Sequence, residues 1–103
     1  MGKRRPIFDF HPEAIIEALK AAEWYGERSL EAALKFKSEL RRAEGSVARH
    51  PKSWMPYLHG TRCFKLEHFP FALVYIERED RIIGIAVVHL KRRPGYWRGR
   101  LAD

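Results

Sequence analysis

The sequence lacks the features that several classes of protein require. Cys63 is its one cysteine among 103 residues, so a disulfide framework is excluded and a reducing cytoplasm is the expected compartment. No apolar run approaches the roughly 20 residues that span a bilayer. The basic start runs into Pro6 and a short apolar stretch before His11, which is not the pattern of a signal peptide. We therefore expect a cytoplasmic protein that does not contact a membrane.

The common signatures of catalytic and metal sites are also missing. The chain has no glycine-rich loop that could cradle a phosphate and no nucleophile elbow. Its five histidines show no metal-ligand spacing with one another, so neither a metal nor a cofactor is predicted. The glutamates of the N-terminal half, Glu17 among them, are interpreted as the solvated outer face of helices. That placement argues against the paired carboxylates of a glycosidase cleft.

Acidic residues are scarce where the basic residues concentrate. From Arg81 to Ala102 there are six Lys or Arg residues and no Asp or Glu, in a chain of net charge +7 and pI near 9.9. This excess favours an acidic or polyanionic partner: nucleic acid, an anionic surface or a negatively charged protein. Because 46% of the residues are apolar, we expect one folded domain spanning residues 1–103.

Two helices are predicted in the first half of the chain. The first begins at His11-Pro12-Glu13, where proline costs no hydrogen bond and glutamate suits the positive end of the helix dipole, and it ends at Gly26. Ser29 caps the second helix, which His50-Pro51 stops. Because the connection is short, the pair should form an antiparallel hairpin over about residues 12–48. The predicted apolar faces are Ile15, Ala18, Leu19, Ala22 and Tyr25 in the first helix, and Leu30, Ala33, Phe36, Leu40, Ala43 and Val47 in the second.

Strands are predicted on either side of the helix hairpin. Ile7–Phe10 forms the first, and residues 51–61, which contain two prolines and a glycine, are predicted to be a loop. The later strands lie at residues 62–67, 71–76 and 82–88, and a charged turn joins the last two. The order β-α-α-β-β-β predicts an α+β fold. Its mainly antiparallel sheet, with its later strands over about residues 62–90, packs against the helix hairpin.

A basic and aromatic segment, residues 91–103, follows the last predicted strand. Guanidinium groups match phosphate oxygens in pairs, and aromatic rings stack on unpaired bases. A buried strand ahead of the segment would hold these groups on a rigid support. The alternative is a solvated tail whose charges confer solubility and whose tryptophan packs on the sheet edge. The candidate target- or nucleic-acid-binding residues are Lys91, Arg92, Arg93, Tyr96, Trp97, Arg98 and Arg100.

Three motifs, which follow one another over residues 7–100, resemble the ParE-like branch of the RelE/ParE toxin superfamily. The first is similar to that family's first helix, the second to one of its strands and the third to its terminal motif. In this sequence they are His11-Pro12-Glu13-Ala14 with Glu23-Trp24-Tyr25, Phe69-Pro70-Phe71 with Val74-Tyr75, and Ala86-Val87-Val88-His89 with Arg92-Arg93-Pro94-Gly95-Tyr96-Trp97.

The resemblance implies a RelE/ParE-like fold and the toxin of a bacterial type II toxin–antitoxin system. A cognate acidic antitoxin would neutralise such a toxin in a hetero-oligomer. ParE-like toxins bind DNA gyrase and cleave nothing themselves, whereas RelE-like toxins cut messenger RNA on the ribosome without a metal. ParE-like activity is our first hypothesis. A third possibility is a basic domain that is not toxic and only binds an antitoxin or nucleic acid.

The ribonuclease alternative assigns roles to four residues. The resemblance would make His89 the base, Arg62 and Arg92 the phosphate clamps, and Tyr96 the stacking or acid group. An imidazole beside several arginines tends to lose its proton, as a base must. RelE-like toxins usually end in a short segment with a catalytic Tyr or a His-Tyr pair. Here His89 is followed by Leu90 and a longer segment, and this departure favours the ParE-like hypothesis.

Overall fold

The computed structural model describes residues 6–102, and it confirms the α+β fold with an N-terminal helix hairpin. Residues 1–5 and 103 of the predicted domain lie outside the described residues. One strand lies in the segment that the sequence predicted to be a loop. Two short 3-10 helices, Leu58–Gly60 and Arg98–Ala102, complete the chain. The main elements are β1 (Ile7–Phe10), α1 (Pro12–Gly26), α2 (Leu30–Arg49), β2 (Met55–Pro56), β3 (Arg62–Lys65), β4 (Phe71–Arg78) and β5 (Arg81–His89).

Side-chain caps begin both helices where the sequence predicted them. The Nδ1 atom of His11 accepts a hydrogen bond from the backbone N–H of Glu13 at 3.1 Å. The hydroxyl of Ser29 accepts from the N–H of Ala32 at 3.2 Å. Each cap satisfies a donor that the first turn of a helix leaves without a partner. Helix α2 ends at His50, whose N–H donates to the carbonyl of Ser46.

The five strands form one sheet in the order β1-β5-β4-β3-β2. Strand β1 runs parallel to β5, and the other neighbours are antiparallel. Strands β4 and β5 are joined by Glu79-Asp80, and Glu79 has a left-handed φ of 56°. Strand β1 pairs only with the first half of β5, from Arg81 to Gly84. Within residues 6–102, the second half of β5 therefore has no neighbouring strand on that side.

The helix hairpin covers one face of the sheet. The apolar face predicted for α2 is confirmed except for Leu30, which is exposed. The face predicted for α1 is partly wrong, because Ile15 and Leu19 are exposed while Ala14 and Ala21 are buried. Small alanine side chains let a helix approach a sheet closely, so the buried face of α1 is made of the smaller residues. The buried residues of this first core are Ala21, Ala22, Phe36, Leu40, Ala43, Val47, Leu66, Leu73, Tyr75, Ile82 and Val87.

The other face of the sheet has a second, smaller core. Successive side chains of a strand point to opposite faces, so β4 and β5 supply apolar residues to both. No helix of the hairpin reaches this second face, and the C-terminal segment covers it instead. Trp97 is the largest side chain buried there. The buried residues of this second core are Cys63, Ala72, Val74, Ile85, Ala86, Val88 and Trp97.

Gly84 sits where β1 packs most tightly against β5. A Cβ atom at this position would lie 2.5 Å from the ring of Phe10 and 3.3 Å from the ring of Phe8. Real Cβ atoms do not approach other atoms so closely, so the two phenylalanines can occupy this place only against a glycine.

We expect Gly84→Ala to lower the free energy of unfolding by about 1–3 kcal/mol, because the new methyl group must displace a packed aromatic ring. Urea unfolding followed by circular dichroism measures the change. Gly99→Ala is the matched control, since a Cβ atom added there would meet open space. Equal stability of the two variants would contradict the close packing of Phe10 on Gly84.

Candidate binding site

The segment that follows β5 is folded back onto the sheet by backbone hydrogen bonds. The N–H of Leu90 donates to the carbonyl of Pro70 at 2.9 Å, and that of Arg92 donates to His89 at 2.9 Å. Gly95 adopts a φ of 80°, a left-handed conformation that glycine takes without strain. The segment is therefore an ordered extension of β5, and we call residues 89–102 the C-terminal segment.

Trp97 anchors the C-terminal segment in the second core. Its side chain is 1% exposed, and its ring lies 6.1 Å from that of Tyr57 and 5.9 Å from that of His59. A ring so enclosed has no free face for a base, so in this arrangement Trp97 fixes the segment. That Trp97 itself contacts a target stays a prediction.

Glu17 is the functional-site residue that the sequence analysis missed. Its interpretation as part of a solvated outer face is wrong, because its side chain is only 16% exposed. The carboxylate accepts two hydrogen bonds from the guanidinium of Arg100, at 2.9 and 3.0 Å. It also accepts one from the backbone N–H of Val87 at 3.0 Å and one from the hydroxyl of Tyr96. Glu17 lies three residues after Ala14 and four before Ala21, on the buried face of α1 that the sequence pattern did not identify, so no signal in the sequence marked it.

The ring of Tyr96 connects this carboxylate to the exposed Arg92. The guanidinium carbon of Arg92 lies 4.0 Å from the ring centroid, and that of Arg100 lies 5.3 Å away. A cation this close to an aromatic ring is attracted by its electron-rich face. Burial raises the pKa of Tyr96 and the hydrogen bond to Glu17 raises it further. The phenol therefore keeps its proton and remains a hydrogen-bond donor.

An aromatic groove lies between α1 and the ends of β4 and β5. Its volume is about 460 Å³. Trp24, which is 51% exposed, lies on the α1 side, where the guanidinium carbon of Arg28 sits 3.5 Å from the ring centroid. We call it the helix-side groove. Its apolar lining is Ala21, Trp24, Tyr25, Pro70, Phe71, Val87 and Tyr96, and its polar lining is Glu17, Lys20, His89 and Arg92.

A second cavity, of about 260 Å³, lies on the opposite face of the sheet. Lys65, Arg92 and Arg93 line it together with the ring of Tyr57, and no carboxylate from residues 6–102 does. We call it the cationic pocket. Three residues of the C-terminal segment, His89, Arg92 and Tyr96, belong to both cavities, so the segment forms the wall between them.

The predicted binding residues fall into two groups in the structure. Lys91, Arg92, Arg93 and Arg98 are exposed, and no carboxylate within residues 6–102 forms an ion pair with any of them. Arg100 is instead paired with Glu17 and 15% exposed. The exposed four can reach a partner directly, whereas Tyr96, Trp97 and Arg100 hold the segment in place.

Comparison with known families accounts for most of the chain. A family described as "ParE toxin of type II toxin-antitoxin system, parDE" matches residues 8–94. The chain belongs to the ParE toxin family. No curated protein matches the sequence significantly. The family match ends at Pro94, so Tyr96, Trp97 and Arg100 lie beyond it.

A solved structure supports the ParE-type fold. The chain is similar to one from "Chromosomal ParDE TA system from P. aeruginosa", with a TM-score of 0.73 and 15% sequence identity. The similarity covers 82% of this chain and 96% of that one. No helix within residues 6–102 of this ParE-family chain is long and apolar enough to cross a membrane.

The four residues of the ribonuclease hypothesis do not come together in this ParE-family chain. Arg62 pairs with Tyr75 across β3 and β4, whereas His89 pairs with Phe71. Four strand residues, about 13 Å, separate those two levels of the sheet. The guanidinium of Arg62 donates to the carbonyl of Trp54 at 2.7 Å. Only His89, Arg92 and Tyr96 therefore share one wall.

The ring of His89 is also poorly placed to act as a base. Its Nδ1 atom accepts a hydrogen bond from the N–H of Lys91 at 3.1 Å. A neutral imidazole that accepts at Nδ1 carries its proton on Nε2. No lone pair then remains on the ring to take a proton from a 2′-hydroxyl, so this geometry favours a binding role for the segment.

We expect Trp97→Ala to lower the free energy of unfolding by about 3–5 kcal/mol, since it empties the centre of the second core. Denaturant unfolding checks this value. Trp24→Ala removes the same side chain from a half-exposed position and should cost about 1 kcal/mol or less. Similar losses for the two variants would mean that Trp97 does not support the sheet.

Proposed function

We propose that the chain is a toxin that arrests growth by binding DNA gyrase through its C-terminal segment and the adjoining grooves, and that an acidic antitoxin neutralises it. The observation that carries this proposal is the position of Arg92 and Arg93. Both are exposed, neither is paired with a carboxylate of residues 6–102, and Arg92 stands on the wall between the two cavities. Unpaired cations held on an ordered support are suited to a negatively charged partner surface.

The chemistry of the helix-side groove supports a protein partner. Its lining is mainly apolar and aromatic, and its rim carries Lys20 and Arg92. The single carboxylate there, Glu17, is already neutralised by Arg100. A partner segment with apolar anchors and acidic flanking residues would bury the anchors and pair with the rim. An antitoxin of that composition would cover Arg92, which is how we propose that it silences the toxin.

Gyrase is favoured over the ribosome by the geometry of the ribonuclease candidates. Arg62 is turned away toward Trp54, and the lone pair of His89 is occupied. A toxin that binds a protein target needs neither group as a catalyst. The toxin would act in the cytoplasm, where gyrase is found, as the free partner of a toxin–antitoxin hetero-oligomer. A short gene for an acidic DNA-binding protein next to the gene of this chain would agree with the proposal.

Purified chain should inhibit DNA supercoiling by gyrase and leave ribosome-bound messenger RNA intact. The two assays are run on the same preparation, with the chain refolded free of any antitoxin. Cleaved message with unimpaired supercoiling would replace the proposal by the ribonuclease alternative. Inactivity in both assays and normal growth on expression would leave the non-toxic binding domain.

Reversing both charges in Arg92→Glu/Arg93→Glu should weaken growth inhibition and gyrase inhibition by about tenfold or more, because close like charges across an interface cost several kcal/mol. Dose–response curves of supercoiling against toxin concentration measure the change. The matched control is Lys37→Glu/Arg42→Glu, which alters the net charge equally on exposed positions of α2. If the two double variants lose activity equally, net charge rather than the C-terminal segment determines binding.

A further inference from the structure

We propose that Glu17 is a positioning residue: its carboxylate locks the C-terminal segment onto the open edge of β5 and so sets where Arg92 stands. The consequence for toxicity rests on the function proposed above, whereas the lock itself does not. Tyr96 and Arg100, two of the three groups that Glu17 binds, lie beyond the residues matched by the ParE family. The lock therefore consists of contacts that extend beyond the residues shared with the family.

The lock lies at the edge of the sheet formed by the second half of β5. Strand β1 ends opposite Gly84, and the backbone groups of Ile85 and Val87 that face its side meet no further strand. The Glu17 carboxylate accepts from the N–H of Val87 at 3.0 Å, and the Arg100 guanidinium donates to the carbonyl of Ile85 at 3.0 Å. One ion pair thus supplies both an acceptor and a donor to a buried edge that would otherwise be unpaired.

The Glu17 carboxylate is also connected to Arg92 of the proposed binding surface. Arg100 and Tyr96 both donate to Glu17, so one carboxylate on α1 fixes two points of the C-terminal segment. The guanidinium of Arg92 lies over the ring of Tyr96 at 4.0 Å. The hydrogen bond from its hydroxyl to Glu17 orients the Tyr96 ring, and that ring in turn holds Arg92. Glu17 therefore acts on the position of Arg92 indirectly, through Tyr96.

The lock formed by Glu17 acts on one part of the structure only. Glu17 belongs to neither apolar core, and Trp97 packs in the second core among residues other than Glu17. Glu17→Gln replaces one carboxylate oxygen by an NH2 group and removes the negative charge, so it breaks the hydrogen bonds to that oxygen and weakens those that remain. It also leaves Arg100 as a largely buried cation without its partner. We expect the segment to loosen while the rest of the sheet keeps its protection.

Native-state amide hydrogen exchange tests the lock in the full chain. In Glu17→Gln, the amides of Val87 and of residues 94–102 should exchange about tenfold faster or more, while those at the centre of β4 change less than about twofold. Glu31→Gln is the matched control, since it removes the same charge from a helix glutamate whose ion pair within residues 6–102 is with the exposed Lys35. Unchanged exchange at Val87, or equal acceleration throughout the sheet, would overturn the proposal.

Two further variants keep the test decisive if Glu17→Gln folds poorly. Tyr96→Phe removes only the hydroxyl and should raise exchange in residues 94–102, because the ring then lacks its hydrogen bond to Glu17. Arg100→Gln should loosen the same amides as Glu17→Gln, and the two changes combined should have much less than their summed effect, because both break one ion pair. Additive effects would show that Glu17 and Arg100 act separately, which would overturn the proposal.

Gyrase inhibition provides the functional arm. Glu17→Gln should inhibit supercoiling at least about fivefold less than the natural sequence, with Glu31→Gln unaffected, a coupling typical of residues along one contact network. If the natural sequence inhibits gyrase and Glu17→Gln inhibits it equally, the positioning role fails. If the natural sequence itself does not inhibit gyrase, the proposed function fails, and the exchange measurements still decide whether the lock exists.

Discussion

The structure depends on the need to cover both faces of strands β4 and β5. Their apolar residues alternate in direction but occupy nearly every position, so each face of the sheet must be shielded from water. The helix hairpin covers one face with a core centred on Phe36 and Tyr75. With both helices already packed on the first face, the second is closed by Trp97 and the residues around it. The chain folds back after β5 because that face would otherwise remain exposed.

This constraint joins stability to the proposed function in one segment. Trp97 closes the second core, and exposed arginines lie on both sides of it in the sequence. Arg92 and Arg93 precede it, and Arg98 follows it directly. A binding surface built on a loose tail would lose conformational entropy when it meets a partner. Here most of that ordering occurs during folding, because burial of the tryptophan and the bonds to Glu17 fix the backbone in advance. Arg92 is held at the wall between the two cavities with little further loss of backbone entropy.

Local signals predicted most of the elements. The caps at His11 and Ser29 and the proline after His50 are short-range features, and the helices begin and end where these residues indicated. The alternation that predicted β3, β4 and β5 is likewise local. Strand β2 was not predicted, because two residues are too few to show the alternating pattern of a strand. It is defined by its pairing with β3. The apolar face of α1 was misplaced by one residue, since Ile15 and Leu19 outweigh alanines on any hydrophobic scale although only alanines fit against the sheet.

Composition, periodicity and motif order were enough to predict the fold class, the basic and aromatic character of the C-terminal segment and the resemblance to ParE toxins. Which of those basic residues are exposed depends on the tertiary structure. Arg92 and Arg100 are the same type of residue in the same segment. Arg92 is exposed, whereas Arg100 is paired with Glu17, 83 residues away in the chain. Sequence periodicity describes one element at a time. A contact across that distance depends on how the helix, the strand edge and the returning segment pack together.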